Sequence, residues 1–578
     1  MKFNNITPSK LKKIKLNDLP KFCKNLRKEL IRILSITGGH VGPNLGVIEL
    51  TVALYYVFNF PKDRLVWDIG HQIYVQKILT NRHKELLTIR KNGKSPGYSN
   101  RTESIYDTVT SSHAGSSLSL AMGTSMASKG INIAVCGDAA FVEGAIQEAL
   151  NHLSILNKKV ILIINDNEMA IEENYGGYHN YFKLKKVSKK LIKEKFQYLD
   201  IDYFRTLDGH NIISLVNFFK KLKKINKPCI VHLKTIKSKG LEKYANNSDV
   251  KLHWNPSFDI NTFESKEKKN TINYEKFAEK AVLELFKNDK NKKHFVVTPA
   301  VRGNTGMSKV FKEFPKQSID VSIAEQHSLS LACGMAIQGL RPIVTMESTF
   351  MIRSFGQMIH DMCINNLPVL MISARSGHGF TDHITHNAMQ DISYLRSIPN
   401  LRIYYPISSI DLYRTILQKS KNIKHPTIIL FPKANNADDP SNYISCDGEN
   451  FSKLKNMKNL ILSVGPQNLN AQKVQRELKT YKINIDHICV RNIYPVSSKL
   501  VKLLKKYKNI FIMEEGYLDG GFGSQILEIV NESKYKTKVK LFGFKKKFIE
   551  HGTRDYIYKI NQLDAQSITN KIIKSLKN

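Results

Sequence analysis

One stretch limits what this chain can become more than any other: Ile131 to Gly177, INIAVCGDAAFVEGAIQEALNHLSILNKKVILIINDNEMAIEENYGG. An apolar run from Ile131 to Cys136 breaks at Gly137-Asp138, a helical pattern carries through His152, and a second apolar run, Val160 to Ile164, closes at Asn165-Asp166-Asn167. The pattern predicts a strand, a loop, a helix and a parallel strand. Both polar breaks then fall just past the carboxyl ends of their strands, where open parallel sheets bind ligands. Asp138 offers a hard carboxylate oxygen and Asn167 an amide oxygen, and the turn that follows can present the backbone carbonyl of Met169. An all-oxygen set suits Mg²⁺, which keeps phosphate oxygens readily in its shell. The same residues also make an ordinary α/β turn and an ordinary helix stop. The rest of the chain has to decide between the two.

At 578 residues the chain is too long for one core and predicts about three or four domains. The start, MKFNNITPSKLKK, carries no apolar leader, and no apolar run approaches a membrane span, so a soluble, cytoplasmic protein without a membrane partner is expected. Cys23, Cys136, Cys229, Cys333, Cys363, Cys446 and Cys489 are scattered, with no metal-ligand spacing, and read as reduced, mostly buried thiols. The net charge of +38 lies in short runs such as Lys220-Lys221-Leu222-Lys223-Lys224, not in a tail or an aromatic-laced groove. Solvated lysine faces account for it better than nucleic-acid binding, and the positive field would draw in anionic substrates.

Along the chain, two lysine-rich helices over 1–35 lead to Thr37-Gly38-Gly39-His40-Val41-Gly42-Pro43-Asn44-Leu45-Gly46, where glycines let backbone approach a ligand. An amphipathic helix is expected from Val47 to Phe58, then a strand over Val66 to Gln72 that ends in Gly70-His71, then Ser111-Ser112-His113-Ala114-Gly115 ahead of a helix from Leu118 to Ala127. His40, His71 and His113 thus lie in loops at helix starts or strand ends, suited to phosphate contact or proton transfer. A basic helix is expected over Leu184 to Lys195, and further strands and helices continue a doubly wound domain. Lys237-Ser238-Lys239-Gly240 reads as the start of an exposed loop ending near Trp254.

The polar segment Asn261 to Asn273 marks a first boundary, and Asp438-Asp439-Pro440 a second. The fold class predicted is α/β, three doubly wound domains over 1–265, 266–437 and 438–578. In the second, strands at Phe295, Ile319 to Ile323, Ile343, Val369 and Ile428 alternate with helices Ser328 to Ile337, Thr349 to Ile364 and Ser409 to Gln418.

Several dispersed motifs, in order, resemble those of the 1-deoxy-D-xylulose-5-phosphate synthase family, within the transketolase-like thiamine-diphosphate enzymes. They are Thr37-Gly38-Gly39-His40, Trp67-Asp68-Ile69-Gly70-His71-Gln72-Ile73-Tyr74, Lys77-Ile78-Leu79-Thr80, Asn165-Asp166-Asn167-Glu168-Met169, Thr298-Pro299-Ala300, Ile323-Ala324-Glu325-Gln326-His327 and Arg491-Asn492-Ile493-Tyr494-Pro495. Gly137-Asp138-Ala139 with Asn167 is similar to a thiamine-diphosphate motif, Gly-Asp-Gly followed about thirty residues later by Asn, with Ala139 in place of the second glycine.

The resemblance implies a thiamine-diphosphate- and Mg²⁺-dependent transferase, a homodimer, that decarboxylates pyruvate and joins the remaining two carbons to D-glyceraldehyde 3-phosphate. By resemblance, Asp138, Asn167 and Met169 hold the metal; Gly137, Ala139, His71, Glu325 and Phe350 contact the cofactor; and Glu325 hydrogen-bonds the pyrimidine ring nitrogen. His40, His71, His113 and His386 line the reacting centre, while Arg353, Arg375, Asp382, His386 and Lys433 contact the acceptor, the arginines as planar forks for phosphate.

The chain also departs from the family. If position 139 needs a positive φ, Ala139 costs about 1 kcal/mol there, and glycine would bind the cofactor as well or better. Glu347 stands where an aromatic residue is usual and His383 where a glycine is. Asn387-Ala388 replaces a glycine-bearing pair, and Arg-Tyr-Pro-Arg-Gly appears as Leu430-Phe431-Pro432-Lys433-Ala434. Three readings stand: the synthase, a paralogous carboligase with another aldehyde acceptor, and a catalytically silent subunit on the same fold.

Overall fold

The computed structural model describes residues 3–156, 158–183, 199, 201–206, 208–248, 250–266, 273–379, 382–421, 423–434, 444–445, 451–453 and 458–577. The helix expected over Leu184 to Lys195, the segment Asp438-Asp439-Pro440 and Cys446 lie outside them. Contacts divide the chain into two units. The first is Met1–Lys269 with Ser322–Ala324 and Thr381–Thr385; the second is Asn270–Val321, Glu325–Phe380 and His386–Asn578.

In the first unit, β1 (Arg64–Trp67), β2 (Asn132–Gly137), β3 (Val160–Asp166), β4 (Asp202–Thr206) and β5 (Cys229–Lys234) pair in parallel in the order β1-β2-β3-β5-β4. Alternate side chains enter two separate cores. Leu65, Ile133, Val135, Ile161, Ile163 and Val231 pack with the helices Leu19–Thr37, Ile48–Val57 and Ile212–Leu222. Val66, Ala134, Cys136, Leu162, Ile164 and Ile230 pack with Ser117–Ser125 and Gly144–Leu153. Both faces are covered, which is why these strands read as continuous apolar runs instead of alternating ones.

Two local expectations are corrected here. Ile48–Val57 is not amphipathic: every residue but Tyr56 is buried, so the helix is enclosed on all sides. The strand expected to run to Gln72 stops at Trp67, because Ile69 (φ 64°) and Gly70 (φ 85°) turn the chain through left-handed backbone. For a β-branched residue such as Ile69 that conformation is strained, and strain of this kind concentrates at functional loops. The Lys77 motif is structural. Its ammonium is fully buried against Glu103, beside a two-pronged pair from Arg82 to Asp107 at 2.9 and 2.7 Å.

The second unit holds two sheets. β6 (His294–Thr298), β7 (Ser318–Asp320), β8 (Arg341–Glu347), β9 (Leu370–Ala374), β10 (Arg402–Tyr404) and β11 (Thr427–Phe431) run parallel in the order β10-β11-β9-β8-β6-β7. The other sheet contains β12 (Ile444–Ser445), β13 (Phe451–Lys453), β14 (Asn459–Val464), β15 (Asp486–Val490), β17 (Asn509–Tyr517) and β18 (Lys538–Phe544), in the order β12-β13-β15-β14-β17-β18. β16 (Asn492–Tyr494) leaves this region of sequence and pairs antiparallel with β10, closing the edge of the first sheet. One core takes Val344, Met346, Met371 and Leu430 from one sheet and Leu460, Leu462, Ile488 and Ile512 from the other.

The long helix expected over Thr349 to Ile364 is broken into Ser348–Met351, a 3₁₀ turn at Ile352–Ser354, Phe355–Gln357 and a π-helical stretch Met358–Cys363. The helix expected from Ser328 starts at Glu325, and the strand expected to reach Ile323 ends at Asp320 and is only half-buried. Six of the seven cysteines are described, all buried free thiols. No helix among the described residues is long and apolar enough to cross a membrane.

Candidate active site

The parallel register sets Gly137 beside Asn165, so the loops after β2 and β3 leave the sheet side by side. Asp138 is buried; its Oδ2 accepts from Asn174 Nδ2 at 3.2 Å and its Oδ1 lies 3.5 Å from the Asn167 amide. Burial and the neighbouring Asp166 charge push the Asp138 carboxyl well above the carboxylate range. Asp166 itself is held low despite burial, because His232 Nε2 (2.7 Å) and Lys234 Nζ (2.8 Å) both bind its carboxylate. The first carboxylate therefore sits among oxygen donors with its charge poorly offset, and the second is already neutralised. That is the environment a divalent cation relieves, and with the Asn167 oxygen and the Met169 carbonyl the donor set fits Mg²⁺. The Asn167 Oδ1 accepts the Met169 amide at 3.1 Å, which fixes the turn, and Glu168 (φ 66°) bends it.

Asn44 ties two more loops together. It is fully buried; its Nδ2 donates to the carbonyls of His40 and His71, both at 2.8 Å, and its Oδ1 accepts from the Tyr74 amide at 3.0 Å. Gly39 (φ 127°) admits the Tyr74 ring, whose hydroxyl would lie 2.9 Å from any Cβ at that position. The outcome is a cluster of rings. His40 stands 5.1 Å from His71 and 5.6 Å from His253, and His71 stands 5.4 Å from His253. Burial, then the charge of Lys237, lowers His71 to about 3, so its imidazole is neutral at physiological pH. The buried His71 Nδ1 has no hydrogen-bond partner among the described residues, an orphan that a ligand group would satisfy. His113 Nε2 hydrogen-bonds the Thr385 carbonyl at 3.0 Å. Asp68 joins these loops by accepting from the amides of Gly115 (2.9 Å) and Ser117 (3.0 Å).

Position 139 does not need glycine. Ala139 sits at φ −71°, ψ −36°, ordinary right-handed backbone, so alanine adds no strain and the expected cost at that residue is withdrawn. Lys237 and Ser238 are buried, not the start of an exposed loop. Lys237 Nζ donates to the carbonyls of Ala170 and Ile171, both at 2.9 Å, and burial depresses it to about 7, partly offset by Asp138. Asp382, expected at the acceptor, is buried and ion-paired with Arg90.

In the second unit, Glu325 opens the helix Glu325–Ile337 and is buried, with Arg353 Nε 3.8 Å from its Oε2. Phe350 is half-buried and meets His386 edge-on at 6.0 Å; it is not a core ring. Arg375 Nη1 lies 3.1 Å from Glu347 Oε1, which also accepts from Asn304 Nδ2 at 2.6 Å. Lys433 is exposed, and its carbonyl accepts from Arg554 at 3.1 Å.

Sequence reasoning missed Asn44, Asn174, Lys237 and His253. Asn44 was visible as an asparagine inside a glycine-rich loop. The other three carry no local signal, since only tertiary packing brings them to the ligand loops.

Comparison with known proteins covers nearly all of the chain. Residues 4–195 and 182–235 match the family model described as 1-deoxy-D-xylulose-5-phosphate synthase, 270–438 the transketolase pyrimidine-binding domain and 453–568 the transketolase C-terminal domain. A 1-deoxy-D-xylulose-5-phosphate synthase of Halothermothrix orenii is 34% identical over 98% of this chain and 96% of its own length. Those of Clostridium acetobutylicum and Buchnera aphidicola are each 36% identical, over 97% and 98% of this chain and 97% and 96% of their own. Relatedness of that extent places the chain in the 1-deoxy-D-xylulose-5-phosphate synthase family.

Proposed function

We propose that the protein is a thiamine-diphosphate- and Mg²⁺-dependent transferase, acting as a homodimer in the cytoplasm, that converts pyruvate and D-glyceraldehyde 3-phosphate to 1-deoxy-D-xylulose 5-phosphate and CO₂. Three functional regions are assigned, 1–265 to the diphosphate and metal, 266–437 to the pyrimidine, and 438–578 to a transketolase-type C-terminal domain. The observation that carries the reading is the buried, poorly compensated Asp138 carboxylate beside Asn167 on adjacent strand ends, in a chain related to the family over nearly all its length.

Bound thiamine diphosphate supplies a carbon nucleophile and an electron sink. This chain's residues do the rest. Asp138 Oδ, Asn167 Oδ1 and the Met169 carbonyl hold Mg²⁺, while Gly137 and Ala139 present backbone to the diphosphate. Glu325, with Arg353 Nε 3.8 Å from its Oε2, would share a proton with a pyrimidine ring nitrogen. His71, with its basicity suppressed by burial, acts as a neutral hydrogen-bonding imidazole, leaving proton transfer to His40, His113 and His386. Arg353, Arg375 and Lys433, with His386, meet the acceptor.

One observation favours a second reading, a carboligase with a non-phosphorylated acceptor: the Arg375 fork is already engaged by Glu347. NMR product analysis with labelled pyruvate, with and without the triose phosphate, separates the two. Labelled 1-deoxyxylulose 5-phosphate supports the synthase. Acetoin-type products alone, unaffected by the triose phosphate, overturn it.

A further inference from the structure

Three neighbouring strands of the second unit end together. β6 and β9 flank β8 in parallel, and Glu347, the last residue of β8, is in register with Ala374, the last of β9. The residue after Ala374 is Arg375, in a left-handed backbone state (φ 65°) that residues with side chains rarely adopt. Asn304 lies in the segment that follows β6. Register alone thus sets a carboxylate beside a guanidinium.

The Glu347 side chain is 2% exposed and that of Arg375 12%. One oxygen, Oε1, takes both donors, from Arg375 at 3.1 Å and Asn304 at 2.6 Å, and Oε2 is buried without a hydrogen-bond partner among the described residues. A carboxylate and a phosphate monoester present the same kind of oxygen pair to a guanidinium fork. A phosphate arriving at Arg375 therefore meets a fork that is partly filled and a fixed negative charge in a poorly screened place.

We infer that Glu347 is a specificity-determining residue: it lowers the affinity of the Arg375 position for phosphorylated acceptors by occupying the fork and repelling the incoming dianion. The inference rests on the proposed reading of Arg375 as an acceptor contact. Glu347→Gln keeps the size and an acceptor oxygen for Asn304 and removes the charge.

The test is calorimetric binding of sn-glycerol 3-phosphate, a non-reacting phosphate probe, to the Mg²⁺ and thiamine-diphosphate holoenzyme. Glu347→Gln should bind the probe about tenfold more tightly, about 1.4 kcal/mol. The ratio of kcat/KM for D-glyceraldehyde 3-phosphate over glyceraldehyde should rise by a similar factor, and both gains should vanish in Glu347→Gln/Arg375→Gln. Unchanged or weaker binding by a Glu347→Gln protein with wild-type circular dichroism overturns the inference, since Glu347 would then merely orient Arg375 for phosphate. Should that variant fail to fold, Glu347→Asp draws the carboxylate back from the Arg375 fork and should tighten the probe severalfold; no change would overturn the inference equally. CO₂ release from pyruvate by the wild type is measured separately. Its absence refutes the proposed enzyme and leaves the phosphate-binding result standing on its own.

Discussion

Asn44→Ala is expected to loosen the ring cluster without touching a ring. The side chain is completely buried and satisfies three backbone groups, the carbonyls of His40 and His71 and the amide of Tyr74. A buried backbone group stripped of its partner costs about 1–3 kcal/mol, and a water entering the vacated space recovers part of that, so the local penalty should be about 3–5 kcal/mol. Global unfolding of a chain this size is not a two-state measurement, so the readout is hydrogen exchange at peptide resolution across residues 38–80. A penalty of about 3 kcal/mol corresponds to protection falling by more than a hundredfold at the Tyr74 amide. Cofactor affinity should fall with it, because the His71 loop loses its tether. Asn44→Asp is the internal control: it keeps an acceptor for the Tyr74 amide but turns oxygens toward two carbonyls, so Tyr74 should stay protected while the His40 and His71 loops loosen. Protection at Tyr74 in Asn44→Ala within about threefold of the wild type would refute the reasoning and show that the loops hold themselves.

Asp138→Asn should abolish Mg²⁺-dependent thiamine-diphosphate binding in calorimetry while leaving the apo fold at least as stable at neutral pH, since the ionised carboxyl is disfavoured by burial; normal binding would refute the metal assignment. Ala139→Gly should weaken the local structure by about 0.5–1 kcal/mol, read by hydrogen exchange across residues 136–145, because its backbone is right-handed, and should not tighten the cofactor; tighter binding would mean that the bound state needs a different φ. Glu325→Gln should retain most cofactor affinity and slow exchange of the thiazolium C2 proton about a hundredfold or more; unchanged exchange by NMR would remove Glu325 from the mechanism.

The sequence determined the architecture of the strands and the two ligand loops, because these depend on local chain properties. The apolar runs Ile131 to Cys136, closed by Gly137-Asp138, and Val160 to Ile164, closed by Asn165-Asp166-Asn167, bury both faces as strands of a covered parallel sheet. Asp138 and Asn167 follow, since loops after adjacent parallel strands emerge side by side. Long-range placement decided what local pattern could not. Helix Ile48–Val57, expected to bury only one face, is enclosed on all sides by the sheet and its neighbours. Lys237 and His253 sit in a polar, lysine-rich stretch that predicts exposure, yet the fold buries the Lys237 ammonium on the Ala170 and Ile171 carbonyls and sets the His253 ring edge-on to His40 and beside His71. Arg375 looked like a waiting phosphate fork because a sequence carries no register. Only the pairing of β8 with β9 puts Glu347 beside it, and an ion pair between residues 28 apart in the chain exists solely through that alignment.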